Sequence, residues 1–147
     1  MPGIFMLVDD DQDDRFLFGE AMEMVDGTIH YVSSKSGKEA IEWLSTSANL
    51  PDLIFLDINM PEMTGWECLR QLKLNTETKQ LPVIMYSTSS HDRDIKLSKE
   101  LGALTFCIKP DNFDDMISLL SFFATNLRKD LSTEIRKSKH KLIRWKN

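Results

Sequence analysis

Five side chains carry most of the chemistry open to this sequence. Asp9 and Asp10 follow a short apolar run, Ile4 to Val8. Asp57 follows Leu53 to Leu56, Ser87 follows Val83 to Tyr86, and Lys109 closes a run from Leu104 and precedes Pro110. Each polar residue stands where an apolar run stops. Such runs, bounded by turn formers, read as strands buried on both faces. Open parallel sheets bind ligands just beyond the carboxyl ends of their strands. The residue types then suggest a reaction. Carboxylates brought together repel unless a cation joins them, and oxygen ligands with positions left for water suit Mg²⁺. A carboxylate can also act as nucleophile toward a phosphoryl group, giving an acyl phosphate. The metal, the Lys109 ammonium and the Ser87 hydroxyl can each cover one phosphoryl oxygen. The bland readings are an aspartate that opens the Asn59-Met60-Pro61 turn, a solvated acidic loop and a serine in a turn. Their coincidence at one sheet mouth favours chemistry.

The elements that must position these groups follow from periodicity. Strand one is 4–8. The helix after it repeats Leu17, Ala21, Met24 and Val25, flanked by Phe18 and Met22, with Asp13 or Asp14 as its cap and Asp26-Gly27 as its end. Residues 28–32 make a more polar strand, nearer the sheet edge. Ser36-Gly37 opens a helix with Ala40, Ile41 and Leu44 on one side. The central strand is 53–57, and Thr64-Gly65 starts a helix with Trp66, Leu69, Leu72 and Lys73 in register. Pro82 opens the strand 83–87. Residues 91–101 form a polar helix with a thin stripe of Ile95, Leu97 and Leu101, stopped by Gly102. The strand 104–109 is cut off by Pro110. A last helix begins near Asn112 with Phe113, Met116, Ile117, Leu120 and Ala124 inward. Strands alternating with helices predict an α/β fold, a doubly wound five-stranded parallel sheet with helices on both faces.

Composition sets outer bounds. The 147 residues suffice for one domain, with 41% hydrophobic and 28% charged residues as in ordinary globular proteins. No transmembrane-length run and no signal-peptide pattern is visible, so a cytoplasmic location without membrane insertion is expected. Cys68 and Cys107 sit in apolar contexts and read as small buried hydrophobes. His30, His91 and His140 are scattered and suggest no metal cluster. The net charge of −5 is uneven. Residues 126–147 carry eight Lys or Arg against Asp130 and Glu134, a net +6 that leaves −11 on the rest. An acidic body argues against a nucleic-acid-binding domain. The basic end alone can touch an acidic partner, a membrane surface or nucleic acid. Leu127, Leu131 and Ile135 keep a four-residue spacing, so the last helix runs long or a short sixth one follows. Leu142, Ile143 and Trp145 stand among basic residues. The division expected is a domain at 1–127 and a basic helical extension or tail at 128–147.

With these residues in place, the sequence resembles the receiver domain of two-component response regulators, a flavodoxin-like, CheY-like fold, across about residues 4–125. The motifs stand here as Leu-Val-Asp9-Asp10-Asp11, Leu-Asp57-Ile-Asn59-Met-Pro61, Tyr-Ser87-Thr and Ile-Lys109-Pro110. The resemblance implies that Asp57 is the phosphoacceptor, that Asp10 ligates Mg²⁺ directly with Asp9 acting largely through water, and that the backbone carbonyl of Asn59 is a further ligand. It implies that Lys109 pairs with the acceptor and then with its phosphoryl group. Ser87 would move toward that group while Phe106 turns inward, and the Lys109–Pro110 bond would be cis. The implied partners are a sensor histidine kinase or a histidine phosphotransfer protein, and a downstream protein reading the face of helix four, strand five and helix five. A homodimer through helix four is a further analogy, and no output domain follows in this sequence.

Four departures stand out. Position 88 is usually small and here is Thr88. Phe106 lacks a hydroxyl. Asp111 follows Lys-Pro where an apolar residue is common. Asp11, Asp13 and Asp14 exceed the site's needs and read as caps and extra negative potential. Other functions compete. A receiver-like module that binds partners without phosphorylation has Thr88 as its hint. A small Mg²⁺-dependent aspartyl-phosphate phosphatase would use Asp9-x-Asp11, but Gln12 and Asp13 stand where that family's next motif residues belong. A flavodoxin-like electron carrier needs a phosphate loop after strand one, where this acidic loop would repel the flavin phosphate.

Overall fold

The computed structural model describes residues 3–144. Five strands, β1 (Ile4–Val8), β2 (His30–Ser34), β3 (Leu53–Asp57), β4 (Val83–Ser87) and β5 (Thr105–Ile108), form one sheet in the order β2-β1-β3-β4-β5. Every pairing in it is parallel. The central strands β3 and β4 are buried along their whole length, as their continuous apolar runs require. The more polar β2 lies at an edge, two residues later than its pattern suggested.

Helices α1 (Gln12–Val25), α2 (Gly37–Thr46), α3 (Gly65–Leu74), α4 (Asp92–Glu100) and α5 (Phe113–Thr125) alternate with the strands. Side-chain caps start most of them. Ser36 Oγ accepts from the Glu39 N–H, Thr64 and Glu67 form a capping box, and Asn112 accepts from Asp115. Asp11 is the cap of α1, accepting from the Asp14 N–H, where Asp13 or Asp14 was expected. Gly102, at φ +92°, ends α4 in the left-handed region that a side chain resists.

The face of α1 is rotated from the sequence expectation. On α1 the buried residues are Phe18, Ala21 and Met22, while Leu17 is 42% and Met24 67% exposed. On α5 the expected Met116 and Leu120 are buried and are joined by Leu119 and Phe123, while Phe113, Ile117 and Ala124 pack partly buried against the same core. On α1 the Phe18 ring, 5.1 Å from that of Phe55, fills the sheet face and sets the rotation.

After α5 a short helix α6 (Leu131–Lys137) follows. The chain then turns at His140 and lies against the outer edge of β5. The Ile108 N–H donates to the Leu142 carbonyl at 2.8 Å, and the Arg144 N–H donates to the Phe106 carbonyl at 2.8 Å. An antiparallel bridge joins Cys107 and Ile143. Ile135, Leu142 and Ile143 are buried in the main core. Trp145 lies outside the described residues.

Among the described residues no peptide bond is cis, so the expected cis Lys109–Pro110 bond is trans. The trans form is the intrinsically favoured one. The lysine is aimed instead by its own contacts. Its N–H donates to the Ser87 carbonyl at 2.8 Å, and its ammonium is fixed by carboxylates.

Candidate functional site

The carboxyl ends of β1, β3 and β5 converge on an open cavity of about 600 Å³ whose lining is dominated by acids, with Asn59, Thr88 and Lys109 beside them. Side chains alternate along a strand, which sorts the site. Asp57 falls on the side of Phe55 and Leu53, and Lys109 on the side of Cys107. The Lys109 ammonium indeed sits 5.7 Å from the centre of the Tyr86 ring. Asp9 continues the Phe5–Leu7 side. Ser87 and Phe106 have the opposite parity, with Met85.

Asp9 is fully buried. Its Oδ1 accepts from the Asp11 N–H at 3.0 Å, its Oδ2 from Lys109 at 2.8 Å, and its carbonyl from the Arg15 guanidinium at 2.9 Å. One carboxylate oxygen from each of Asp9, Asp10 and Asp57 lies within 4.8 Å of the others. Hard oxygen donors so close, one of them on the exposed Asp10, fit a small divalent cation that keeps part of its water shell. Asn59 is exposed at the same cavity.

Burial pushes Asp57 up to about 6, with the Asp9 charge adding to it and the Lys109 charge opposing it. Burial likewise raises Asp9, against its bonds to Lys109 and Asp11. Burial pulls the Lys109 ammonium down, but its bond to Asp9, the charge of Asp57 and the bond to Asp14 together hold it above the ordinary lysine value. The lysine stays charged while the carboxylates compete for it.

The loop after Asp57 depends on close backbone packing. A Cβ on Gly65 would meet the Asp57 carbonyl oxygen, and the Gly65 N–H donates to the Ile58 carbonyl at 2.8 Å. Only glycine lets α3 start this close to β3. Within the loop Glu62 takes φ 66°, unusual for a residue with a side chain.

The sequence candidates do not all meet. Asp9, Asp10, Asp57 and Lys109 are brought together. Ser87 is buried and turned aside, its Oγ accepting from the Ser89 N–H at 3.2 Å and lying 3.4 Å from Ser89 Oγ. Phe106 is fully buried. Thr88 is exposed at the rim. Two residues have roles that the sequence pattern does not assign them, since Asp14 reads there as a cap or extra negative potential and Arg15 is given no role. Asp14 Oδ2 lies 2.9 Å from the Lys109 ammonium, and Arg15 holds the Asp9 backbone. The signal for Asp14 was its place four residues before Phe18, on the face of α1 that is buried.

Residues 5–121 match the response regulator receiver domain family. Over 109 residues the chain is 39% identical to a probable cyclic di-GMP phosphodiesterase of Vibrio cholerae, a match covering 71% of this chain and only 23% of that much longer protein. The phosphorylated cyanobacterial phytochrome response regulator RcpA superposes with a TM-score of 0.80 at 28% identity, over 88% of this chain and 96% of RcpA. The Mn²⁺-bound form of the response regulator Rcp1, known from Synechocystis, gives 0.74 at 26% identity, over 88% and 97%.

Proposed function

The chain belongs to the response regulator receiver family, and we propose that Asp57 is the residue through which it works as a phosphorylation-activated signalling switch. One observation carries this reading. The Lys109 ammonium lies 3.4 Å from Asp57 Oδ1, in a cavity where Asp9, Asp10 and Asp57 present converging oxygens. An Asp57 oxygen attacks the phosphorus of a phosphohistidine, on a sensor histidine kinase or a histidine phosphotransfer protein. The P–O bond forms as the P–N bond breaks, and the leaving imidazole takes a proton from water. Lys109 neutralises charge on the transferred group. Asp9, Asp10, Asp57 and the Asn59 carbonyl would hold Mg²⁺, which supplies further charge neutralisation when bound. The chain acts as a phosphoacceptor with slow self-dephosphorylation. The phosphodiesterase activity named for the Vibrio cholerae relative belongs to that longer protein.

The signal leaves by Ser87 and Phe106. Ser87 trades its Ser89 contact for the phosphoryl group, and the packing of Phe106 under α4 readjusts. A downstream protein reads the face of α4, β5 and α5, where the 142–144 segment also lies. Residues 1–127 are taken as the receiver unit and 128–147 as its basic extension. A cytoplasmic setting suits this role, and no helix among the described residues is long and apolar enough to cross a membrane.

The test is intact mass after incubation with acetyl phosphate and Mg²⁺, beside Asp57→Asn and a metal-free control. The expected result is one added phosphoryl group that requires both Asp57 and the metal. An adduct that survives Asp57→Asn would refute the assignment.

A further inference from the structure

The lysine at this site is not closest to the residue it is proposed to serve. Its ammonium makes hydrogen bonds to Asp9 at 2.8 Å and Asp14 at 2.9 Å, while Asp57 stands at 3.4 Å. Asp9 is buried and held by the Asp11 N–H as well. The Asp14 side chain is 36% exposed and sits on the first turn of α1, whose position is fixed by the buried Phe18. We propose that Asp14 is a positioning residue that holds the Lys109 ammonium back from Asp57 until a phosphoryl group arrives to compete for it.

An ammonium has three donors, and here two are committed to Asp9 and Asp14. A phosphoryl group on Asp57 brings more charge and more acceptor oxygens than the bare carboxylate. The third donor already faces Asp57 at 3.4 Å; to bring a second one to the phosphoryl oxygens, the lysine must give up one partner. Asp14 is the one to lose, because water can replace the ammonium at its partly exposed carboxylate at small cost, whereas Asp9 is fully buried, out of reach of bulk water. Asp14 thereby sets how firmly the site grips its phosphoryl group. This inference rests on Asp57 being the acceptor.

The experiment measures beryllofluoride affinity, a phosphoryl mimic, by tryptophan fluorescence at saturating Mg²⁺. Wild type, Asp14→Asn, Asp14→Glu, Lys109→Met and the Asp14→Asn/Lys109→Met pair are compared, with thermal midpoints recorded. Asp14→Asn should bind about fivefold tighter. Asp14→Glu should return toward wild type, and the gain should shrink below about twofold when Lys109 is absent. Unchanged or weaker binding by Asp14→Asn at an unchanged midpoint would overturn the proposal. So would a gain that persists without Lys109, since plain charge repulsion would then explain it. Failure of wild type to bind the mimic, in contrast, would strike the acceptor reading itself and this inference with it.

Discussion

The two faces of the sheet are built differently. Under α1, α5 and the C-terminal segment lies an aromatic core. Phe55 is its hub, with ring centres 5.1 Å from Phe18, 5.5 Å from Phe123 and 5.7 Å from Tyr86. Under α2, α3 and α4 the filling is mostly aliphatic, with Met6, Ile54, Leu56, Met85 and Phe106. Helix α5 buries four residues, whereas α4 buries only Ser98 and rests on partly exposed Ile95 and Leu101. Strand parity places Asp9, Asp57 and Lys109 on the densely filled face and Ser87 and Phe106 on the thinly covered one. The chemistry is thus held where packing resists movement, and the proposed response is placed where a helix can shift at low cost.

The largest effect should come from the hub. Phe55→Ala is expected to cost about 3–5 kcal/mol in urea unfolding, against about 1 kcal/mol or less for Ile95→Ala on α4. Equal losses would break the contrast between faces. Truncation after residue 138 removes Leu142 and Ile143 from the aromatic side and should cost about 2–4 kcal/mol. A loss under 0.5 kcal/mol (an order-of-magnitude bound for surface changes) would mean that this segment is not part of that core.

The next effect is electrostatic. Asp57 is held at about 6, above its ordinary 3.8, so the folded chain binds this proton where the unfolded chain has released it. Stability from this group therefore falls as pH rises between those values, and the penalty is complete above about 6. Asp57→Asn should be more stable than wild type by about 2 kcal/mol at pH 7, with the gain vanishing near pH 4. A variant less stable at pH 7 would show that the Lys109 pairing outweighs burial. The smallest effect concerns access. Thr88→Ala should raise the rate of phosphorylation by acetyl phosphate about two- to threefold, a barrier change below about 1 kcal/mol. No change would place Thr88 outside the donor's path.

Much of this was legible in the residues. Apolar runs ending in Asp9, Asp57, Ser87 and Lys109 located the strands and the sheet mouth, because period and burial leave few alternatives for such runs. The face of α1 was not legible. Leu17, Ala21 and Met24 keep the same spacing as the true Phe18–Met22 face, and only the aromatic cluster across the sheet decides between them. That one rotation also hid Asp14, since a helix turned onto Leu17 would carry Asp13 inward instead. The pairing of 142–144 with β5 was hidden too, because it depends on a non-local strand edge and not on local pattern.

The most direct test of the contrast is amide hydrogen exchange with and without Mg²⁺ and beryllofluoride. Changes are predicted in residues 87–108, spanning the end of β4, α4 and β5, while α1 and the inner turns of α5 keep their protection. Protection that changes equally on both faces, or only on α1 and α5, would contradict this division of labour between the two faces.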